Sequence, residues 1–253
     1  MDYGIKDKVA IVTGTGRKGA MGDVIARTLA AEGANIACVD INYEGATEIA
    51  KDISEMGVKA VPIKADQSVY EQVVEAHKQI VEELGSTDIL VNNAADLRGG
   101  GRIQKTTVED WQRLLKIDLD GPWYWIKEVW ENMVNKNWGR IVNISSIAGT
   151  HGGFGQANYS AAKAGVIGLA KTAALEGARS GIIANAVTLG VVDSTGTFTE
   201  VEMFQKIQAK TAMRKLGEPI DVATLVAFLV SEQCKYVTGQ DIHVMGGLDL
   251  FTY

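Results

Sequence analysis

Residues 8–22 read Lys-Val-Ala-Ile-Val-Thr-Gly-Thr-Gly-Arg-Lys-Gly-Ala-Met-Gly. An apolar run typical of a buried strand passes into a glycine-rich turn, and a helical pattern begins at Asp23. Glycines at such a turn let the backbone approach a pyrophosphate, whose charge is stabilised by the N-terminus of the following helix. Many tight strand-to-helix turns bind nothing, but at the first strand of an α/β chain this one predicts a dinucleotide site that includes Gly14, Gly16 and Met21.

The alternation of short apolar runs with longer helical patterns continues to the C-terminus. Seven runs are strand candidates: Lys8–Thr13, Asn35–Asp40, Val58–Ile63, Asp88–Val91, Gly139–Ser145, Gly181–Val187 and Gln240–Val244. Helical spacing is found in Asp23–Glu32, Glu44–Met56, Val69–Leu84, Val108–Asn135, Ala157–Ser180 and Pro219–Ser231. Strands that alternate with helices form βαβ units. We therefore predict an α/β fold with a Rossmann-like, doubly wound parallel sheet of seven strands flanked by helices.

Length and composition favour one globular domain. The chain has 253 residues, three prolines and no low-complexity linker, so residues 1–253 are expected to form a single dinucleotide-binding catalytic domain. With 31 acidic and 25 basic residues, the net charge of −6 argues against nucleic acid and membrane partners. The polar N-terminus and the lack of a run of about 18 apolar residues favour a cytoplasmic protein.

Cysteines and histidines are few. Cys38 and Cys234 provide neither a disulfide framework nor a metal-ligand spacing, and His77, His151 and His243 are scattered along the chain. No metal site is expected.

Asp40 ends the second predicted strand, where a carboxylate can accept hydrogen bonds from the adenosine ribose. It would repel a 2′-phosphate by about 4 kcal/mol per unit charge at a separation of about 4 Å and an effective dielectric near 20. Arg17 and Lys18 act in the opposite direction, because cations in the glycine loop can bind that phosphate. A carboxylate in direct contact outweighs flexible cations, so NAD is favoured over NADP.

A second group of polar residues predicts the chemistry. The fifth strand ends in hydroxyls at Ser146, and Tyr159 follows with Lys163 four residues later, on the same face of a helix. A tyrosine hydroxyl exchanges protons poorly at neutral pH unless a nearby cation favours the phenolate. Tyr-x-x-x-Lys alone is a common chance pattern. Together with Ser146 and the dinucleotide unit it predicts acid/base catalysis by Tyr159 during hydride transfer.

These motifs resemble the short-chain dehydrogenase/reductase family over nearly the whole chain. The matching stretches are Val9–Gly14, Asn92-Asn93-Ala94, Asn143–Ser146, Tyr159–Gly165, Asn185-Ala186-Val187 and Tyr236–Gln240. The resemblance implies an NAD(P)-dependent alcohol dehydrogenase or ketone reductase, with substrate polarisation by Ser146, acid/base chemistry by Tyr159, and phenolate stabilisation and ribose binding by Lys163. It also implies cofactor contacts at Asp66, Asn92, Ala94 and Gly190.

The same resemblance implies a homodimer or homotetramer built partly on the helices that hold Trp123–Trp130 and Tyr159–Arg179. The substrate loop is expected at about residues 190–211, where glycine, serine and threonine interrupt the alternation. The expected substrate is a secondary alcohol or ketone on an acyl (as in an acyl-CoA) or aromatic frame, whose identity the residues leave open.

The chain departs from the family pattern around this site. The segment Gly14–Gly22 is two residues longer than usual, so the extra residues either bulge outward or crowd the pyrophosphate. Asp118 stands where the family has an asparagine that anchors a relay water near Lys163, and Leu189 and Ala95 replace a usual proline and glycine. These departures leave open a second hypothesis, a cofactor-impaired subunit that scaffolds a catalytic paralogue in a hetero-oligomer.

Overall fold

The computed structural model describes residues 2–96, 101–194 and 201–250. Its strands are β1 Val9–Thr13, β2 Asn35–Asp40, β3 Ala60–Lys64, β4 Ile89–Asn92, β5 Gly139–Ser146, β6 Ile182–Leu189 and β7 Asp241–Val244. The helices are α1 Met21–Ala31, α2 Tyr43–Ser54, α3 Tyr70–Leu84, α4 Val108–Leu115, α5 Gly121–Lys136, α6 Ile147–His151, α7 Ala157–Gly177, α8 Glu202–Lys210 and α9 Pro219–Leu229. A π-helical turn, Lys116–Asp120, joins α4 to α5.

The strands of the described residues form one parallel sheet in the order β3-β2-β1-β4-β5-β6-β7. The chain moves outward from β1 to β3, then crosses back to place β4 on the other side of β1. Open parallel sheets bind ligands at such a reversal, beyond the carboxyl ends of the strands. The predicted Rossmann-like, doubly wound fold is confirmed, and its topology places a binding crevice next to β1 and β4.

Burial on both faces of the sheet explains the apolar strands. Successive side chains of a strand point to opposite faces, so Ala10 and Val12 pack with α1 and α9 residues while Val9 and Ile11 pack on the other face. Trp125 of α5 is fully buried in this second layer. No described helix is long and apolar enough to cross a membrane.

The strands lie within two residues of the predicted ranges, whereas the predicted helix Val108–Asn135 differs. It is interrupted by the π-helical turn, which leaves Asp118 fully buried. Wide turns of this kind are rare and often found at functional sites. Helical spacing alone did not predict this turn, because the apolar pattern continues through it.

Gln67, which follows β3, stabilises the π-helical turn. Its side-chain amide donates to the carbonyl of Ile117 at 2.8 Å and to that of Ala94 at 3.3 Å. Gln67 is buried, and a Cβ atom on Gly121 would lie 2.7 Å from its side chain. The turn beside Asp118 therefore depends on one amide from a neighbouring segment.

We expect Gln67→Ala to lower the free energy of unfolding by about 1–3 kcal/mol, because it leaves two carbonyls without their donor in a buried region. Gln112→Ala, an exposed change on α4, should stay within about 0.5 kcal/mol of the parent. Urea denaturation at one protein concentration measures both. Equal stabilities for the two variants would contradict this role of Gln67.

Candidate active site

A cavity of about 800 Å³ lies along the carboxyl ends of the strands. Nine of the predicted site residues line it: Gly14, Met21, Asp40, Asp66, Ala94, Ser146, Tyr159, Lys163 and Gly190. Three do not, namely Gly16, Asn92 and Asp118. The sheet edge thus brings residues from seven separate segments of the chain to one cavity.

The glycine loop follows the cavity wall closely. Gly14 has φ +80°, a backbone conformation that favours glycine, and a Cβ atom on Gly22 would lie only 2.1 Å from the carbonyl oxygen of Gly14. The N-terminus of α1 therefore packs directly on the end of β1. Gly14 and Met21 both line the cavity.

Part of the longer loop lies on its outer side. Lys18 and Gly19 are exposed and do not line the cavity, whereas Arg17, also exposed, does line it. The Lys18 ammonium is 2.8 Å from an Asp52 carboxylate oxygen on α2, and the Gly19 N–H donates to Asp23 on α1 at 2.8 Å. The hydrogen bonds of Asp52 to Lys18 and Arg27 hold the pKa of that carboxyl below its usual range. Lys18 and Gly19 therefore bulge outward, while Arg17 and Ala20 of the same loop border the cavity.

Asp40 is fixed at the end of β2 by backbone donors. Its carboxylate accepts hydrogen bonds from the N–H groups of Gly16 at 2.7 Å and Asn42 at 2.8 Å. Arg17 donates to the Ser194 hydroxyl at 3.0 Å, and Lys18 is paired with Asp52. Neither cation is paired with Asp40 among the contacts described, although Arg17 lines the same cavity as the carboxylate.

Asn92 and Asn93 differ in their position relative to the cavity. The Asn92 side chain is buried and donates to Asn143 of β5 at 2.9 Å and to the Pro122 carbonyl at 3.3 Å. Asn93 lines the cavity and donates to the Thr13 carbonyl at 2.8 Å. In this structure Asn92 joins two strands, and it is the following asparagine that borders the cavity.

Tyr159 and Lys163 lie on one face of α7, as their spacing predicts. The Lys163 ammonium is 5.6 Å from the centre of the Tyr159 ring and donates to the Ile144 carbonyl at 3.2 Å. Ser146 ends β5 on the opposite wall, and its hydroxyl accepts the Ala148 N–H at 3.2 Å. The cavity therefore brings together a hydroxyl, a phenol and a buried ammonium.

Asp118 lies behind Lys163, outside the cavity wall. One carboxylate oxygen accepts the Asp96 N–H at 2.8 Å, and the other is 3.6 Å from the Lys163 ammonium. This second oxygen is buried and has no hydrogen-bond partner within the part of the chain that the structure describes. Burial raises the pKa of the Asp118 carboxyl to about 6, while the Lys163 ammonium acts in the opposite direction.

Three residues of the site were missed in the sequence. The Asp96 carboxylate, which is buried, forms an ion pair with Arg113 of α4, and both residues line the cavity. Ser145 donates to the Lys163 carbonyl at 2.8 Å. The two adjacent serines at the end of the strand, Ser145 and Ser146, could have indicated that Ser145 also belongs to the site. Nothing in the sequence linked Asp96 to Arg113, because the two are 17 residues apart in different elements.

The predicted substrate loop is described in part. Gly190, Val192 and Ser194 line the cavity, and residues 195–200 lie outside the described residues. α8 has no buried residue, and none of its side chains lines the cavity.

Comparison with known proteins shows the family of the chain. A family model described as enoyl-(acyl carrier protein) reductase matches residues 14–249. The 3-oxoacyl-[acyl-carrier-protein] reductase FabG of Staphylococcus epidermidis is 38% identical over 96% of this chain and 99% of its own length. The acetoacetyl-CoA reductase of Shinella zoogloeoides is 37% identical over 95% of this chain and 98% of its own length.

A solved structure has the same architecture. NAD⁺-bound xylitol dehydrogenase superposes with a TM-score of 0.90 at 30% identity, covering 96% of this chain and 99% of that protein. The family model and the relatives all extend over nearly the entire chain. The chain therefore belongs to the short-chain dehydrogenase/reductase family, nicotinamide-dependent oxidoreductases that interconvert hydroxyl and carbonyl groups.

Proposed function

We propose that this protein is an NAD-dependent oxidoreductase that interconverts a secondary alcohol and a ketone, with Tyr159 as the acid/base. The observation that carries the proposal is one cavity with Ser146, Tyr159 and Lys163 at one end and the fixed Asp40 carboxylate at the other. Chance pairs of tyrosine and lysine on exposed helices lack such surroundings. Here Lys163 is only 3% exposed, so its charge acts on Tyr159 through a partly dry environment.

The residues fit a dinucleotide. Gly14 and Gly22 leave the backbone free to approach a pyrophosphate, and the start of α1 at Met21 faces the cavity. Asp40 accepts two backbone N–H groups and keeps further lone pairs for ribose hydroxyls. Lys18 pairs with Asp52, which supports NAD over NADP, whereas Arg17 lines the cavity and acts in the opposite direction. The fixed Asp40 carboxylate decides the proposal in favour of NAD.

The proposed mechanism assigns one task to each side chain. A bound nicotinamide supplies or accepts the hydride at the substrate carbon. In reduction, the Ser146 hydroxyl donates a hydrogen bond to the carbonyl oxygen, and Tyr159 transfers its phenolic proton to that oxygen. The Lys163 ammonium stabilises the resulting phenolate. In oxidation the phenolate takes the proton back from the alcohol, and charge is conserved in both directions.

The substrate class is proposed from the relatives. The printed names of two of them specify a 3-oxoacyl group on a carrier protein and acetoacetyl-CoA. Of the acyl and aromatic frames considered, these names favour a 3-oxoacyl or 3-hydroxyacyl thioester for this protein. A panel of such thioesters and of aromatic ketones, followed by NADH absorbance, distinguishes the two frames.

The alternative, a cofactor-impaired scaffold, rested on four departures from the family pattern: the longer glycine loop, Asp118, Leu189 and Ala95. The outward position of Lys18 and Gly19 removes one reason for it. NAD binding by the purified chain alone tests it directly: binding without a paralogue, together with turnover, argues against a scaffold.

We expect Tyr159→Phe to reduce turnover at least about 100-fold, because it removes the transferable proton. NAD affinity should change by less than about threefold, since ring and helix are retained. Stopped-flow turnover and calorimetric NAD binding measure the two effects. Tyr236→Phe, at a fully exposed tyrosine, is the matched control. Turnover that survives in Tyr159→Phe would refute the assigned role.

We expect Asp40→Ala to weaken NAD binding about tenfold or more, because hydrogen bonds to a charged acceptor are lost. NADP binding should weaken less or improve, since repulsion of its phosphate is removed. Calorimetric titration of both nucleotides gives the ratio of dissociation constants. Glu44→Gln removes a nearby exposed carboxylate on α2 and should leave that ratio unchanged. An unchanged ratio in Asp40→Ala would contradict NAD selection by Asp40.

We further propose a homodimer or homotetramer that uses the outer faces of α5 and α7. A groove there is lined by Trp123, Ile126, Trp130 and Leu169, with Trp123 exposed. Trp123 is exposed, Trp130 and Leu169 are half-buried, and Ile126 is buried at the base of the groove. Aromatic and aliphatic side chains at a surface groove are common at interfaces.

Thr172→Arg, which places a charge in this groove, should reduce the oligomer to a smaller species in light scattering. Thr47→Arg on the exposed face of α2 is the control and should leave the molar mass unchanged. An unaltered mass for Thr172→Arg would exclude this interface.

A further inference from the structure

We propose that Arg27 of α1 positions the glycine loop for the coenzyme, by fixing two carboxylates that hold the apex of the loop outside the cavity. The apex is Lys18–Gly19, and the carboxylates belong to Asp23 of α1 and Asp52 of α2. None of these residues lines the cavity, so Arg27 and the two aspartates are positioning residues. The inference rests on the proposed binding of NAD and extends it to the residues that keep the binding site open.

Arg27 joins the two carboxylates. Its Nε donates to an Asp23 oxygen at 2.6 Å, and its Nη2 donates to an Asp52 oxygen at 2.8 Å. Asp23 is only 3% exposed, and a buried carboxylate that loses its cation is costly, so the position of Asp23 depends on this guanidinium. Because the guanidinium is planar and its donors are fixed relative to one another, it also fixes the direction between the two acceptors.

The same two carboxylates bind the apex of the loop. The second Asp23 oxygen accepts the Gly19 N–H at 2.8 Å, and the Asp52 oxygen that binds Arg27 also lies 2.8 Å from the Lys18 ammonium. Gly19 has φ +74°, a conformation that favours glycine, and no atom of the described residues lies within 4 Å of the position that a Cβ would take. At Gly19 the loop is therefore held by a hydrogen bond rather than by packing.

A movement of the apex changes the cavity, because its neighbours on both sides border it. Arg17 and Ala20 line the cavity, and the Ala20 N–H donates to the Arg17 carbonyl at 3.2 Å across the turn. The Arg17 side chain in turn donates to the Ser194 hydroxyl at 3.0 Å, in another segment that lines the cavity. An apex released from its carboxylates lets Arg17 and Ala20 shift into space that the coenzyme needs. The coenzyme must then order the loop as it binds, and such ordering lowers affinity.

The two ends of the loop are anchored independently of Arg27. The Gly16 carbonyl accepts the side-chain amide of Asn42 at 2.9 Å, and a Cβ atom on Gly45 would lie 2.0 Å from that carbonyl oxygen. At the other end, the N-terminus of α1 packs on the end of β1. Loss of Arg27 is therefore expected to release the apex and to leave the ends of the loop in place.

The test compares the affinity for NAD with turnover. Arg27→Gln should raise the dissociation constant of NAD about fivefold or more, because the coenzyme must then order the apex. The kcat at saturating NAD and the KM for the alcohol should stay within about twofold of the parent, since Ser146, Tyr159 and Lys163 are unaltered. Arg27→Lys, which keeps the charge but donates from a single atom, should recover part of the affinity.

Asp52→Asn is a milder change, because Asp52 is half-buried at the surface of α2. It should weaken NAD binding by about two- to threefold, since the contacts that it breaks are partly exposed and the Asp23–Arg27 pair remains. If Arg27→Gln does not fold, Asp52→Asn alone decides. Lys51→Gln and Glu55→Gln remove the same charges at exposed positions and should leave the dissociation constant unchanged. An affinity that is unaltered in Asp52→Asn and in a folded Arg27→Gln would overturn the proposal.

A second measurement needs no coenzyme. Trypsin cleaves after arginine and lysine, and Arg17 and Lys18 are both exposed. Arg27→Gln and Asp52→Asn should accelerate cleavage after these two residues, because local release of a loop exposes its backbone to the protease. Cleavage after the exposed Lys235, which precedes β7 at the opposite edge of the sheet, is the internal standard for overall stability. An unchanged ratio of the two cleavage rates would refute the hold on the apex.

The two measurements separate this inference from the proposed function. If the parent protein binds no NAD, the proposed function fails and the role of Arg27 towards the coenzyme fails with it, whereas the cleavage ratio still decides whether Arg27 holds the apex. If the parent binds NAD, faster cleavage of the loop at an unchanged dissociation constant would overturn the role of Arg27 in coenzyme binding and leave the proposed function standing.

Discussion

Three hydrogen bonds fasten α7 to β5, and the position of every proposed catalytic group depends on them. Asn143 donates to the Val166 carbonyl at 3.0 Å, Ser145 to the Lys163 carbonyl at 2.8 Å, and the Lys163 ammonium to the Ile144 carbonyl at 3.2 Å. The end of the strand and the side of the helix are thus joined through two side chains of the strand and one of the helix. Because β5 is held between β4 and β6 in the sheet, the tyrosine on α7 has a fixed distance from the hydroxyl that ends β5.

The sequence predicted the parts of the molecule whose pattern is local. Strands buried on both faces read as continuous apolar runs, so β1 and β5 were found to within one residue. The spacing of Tyr159 and Lys163 fixes a shared helix face by geometry alone. The carboxyl ends of parallel strands meet at one edge, which is why residues that follow different strands line one cavity.

The unpredicted parts depend on contacts between distant segments. The π-helical turn is stabilised by Gln67 from another segment. The apolar periodicity of the helix cannot indicate a hydrogen bond from a residue that lies elsewhere in the sequence. The contacts of Arg17 and Lys18 depend on Ser194 and Asp52, which the charge of the two cations alone could not predict. Asn92 belongs to a recognisable motif, yet its side chain joins strands, since a buried amide is satisfied by whichever acceptors the neighbouring strand provides.

Because part of the glycine loop runs outward, the length of the loop does not by itself determine the shape of the cavity. Between Gly16 and Ala20 the backbone runs over the surface, held by carboxylates of α1 and α2, while Gly14 and Gly22 keep their mutual contact underneath. The part of the loop at Lys18 and Gly19 adds exposed surface without lining the cavity. A count of residues between the two glycines therefore does not by itself tell whether the cavity is obstructed.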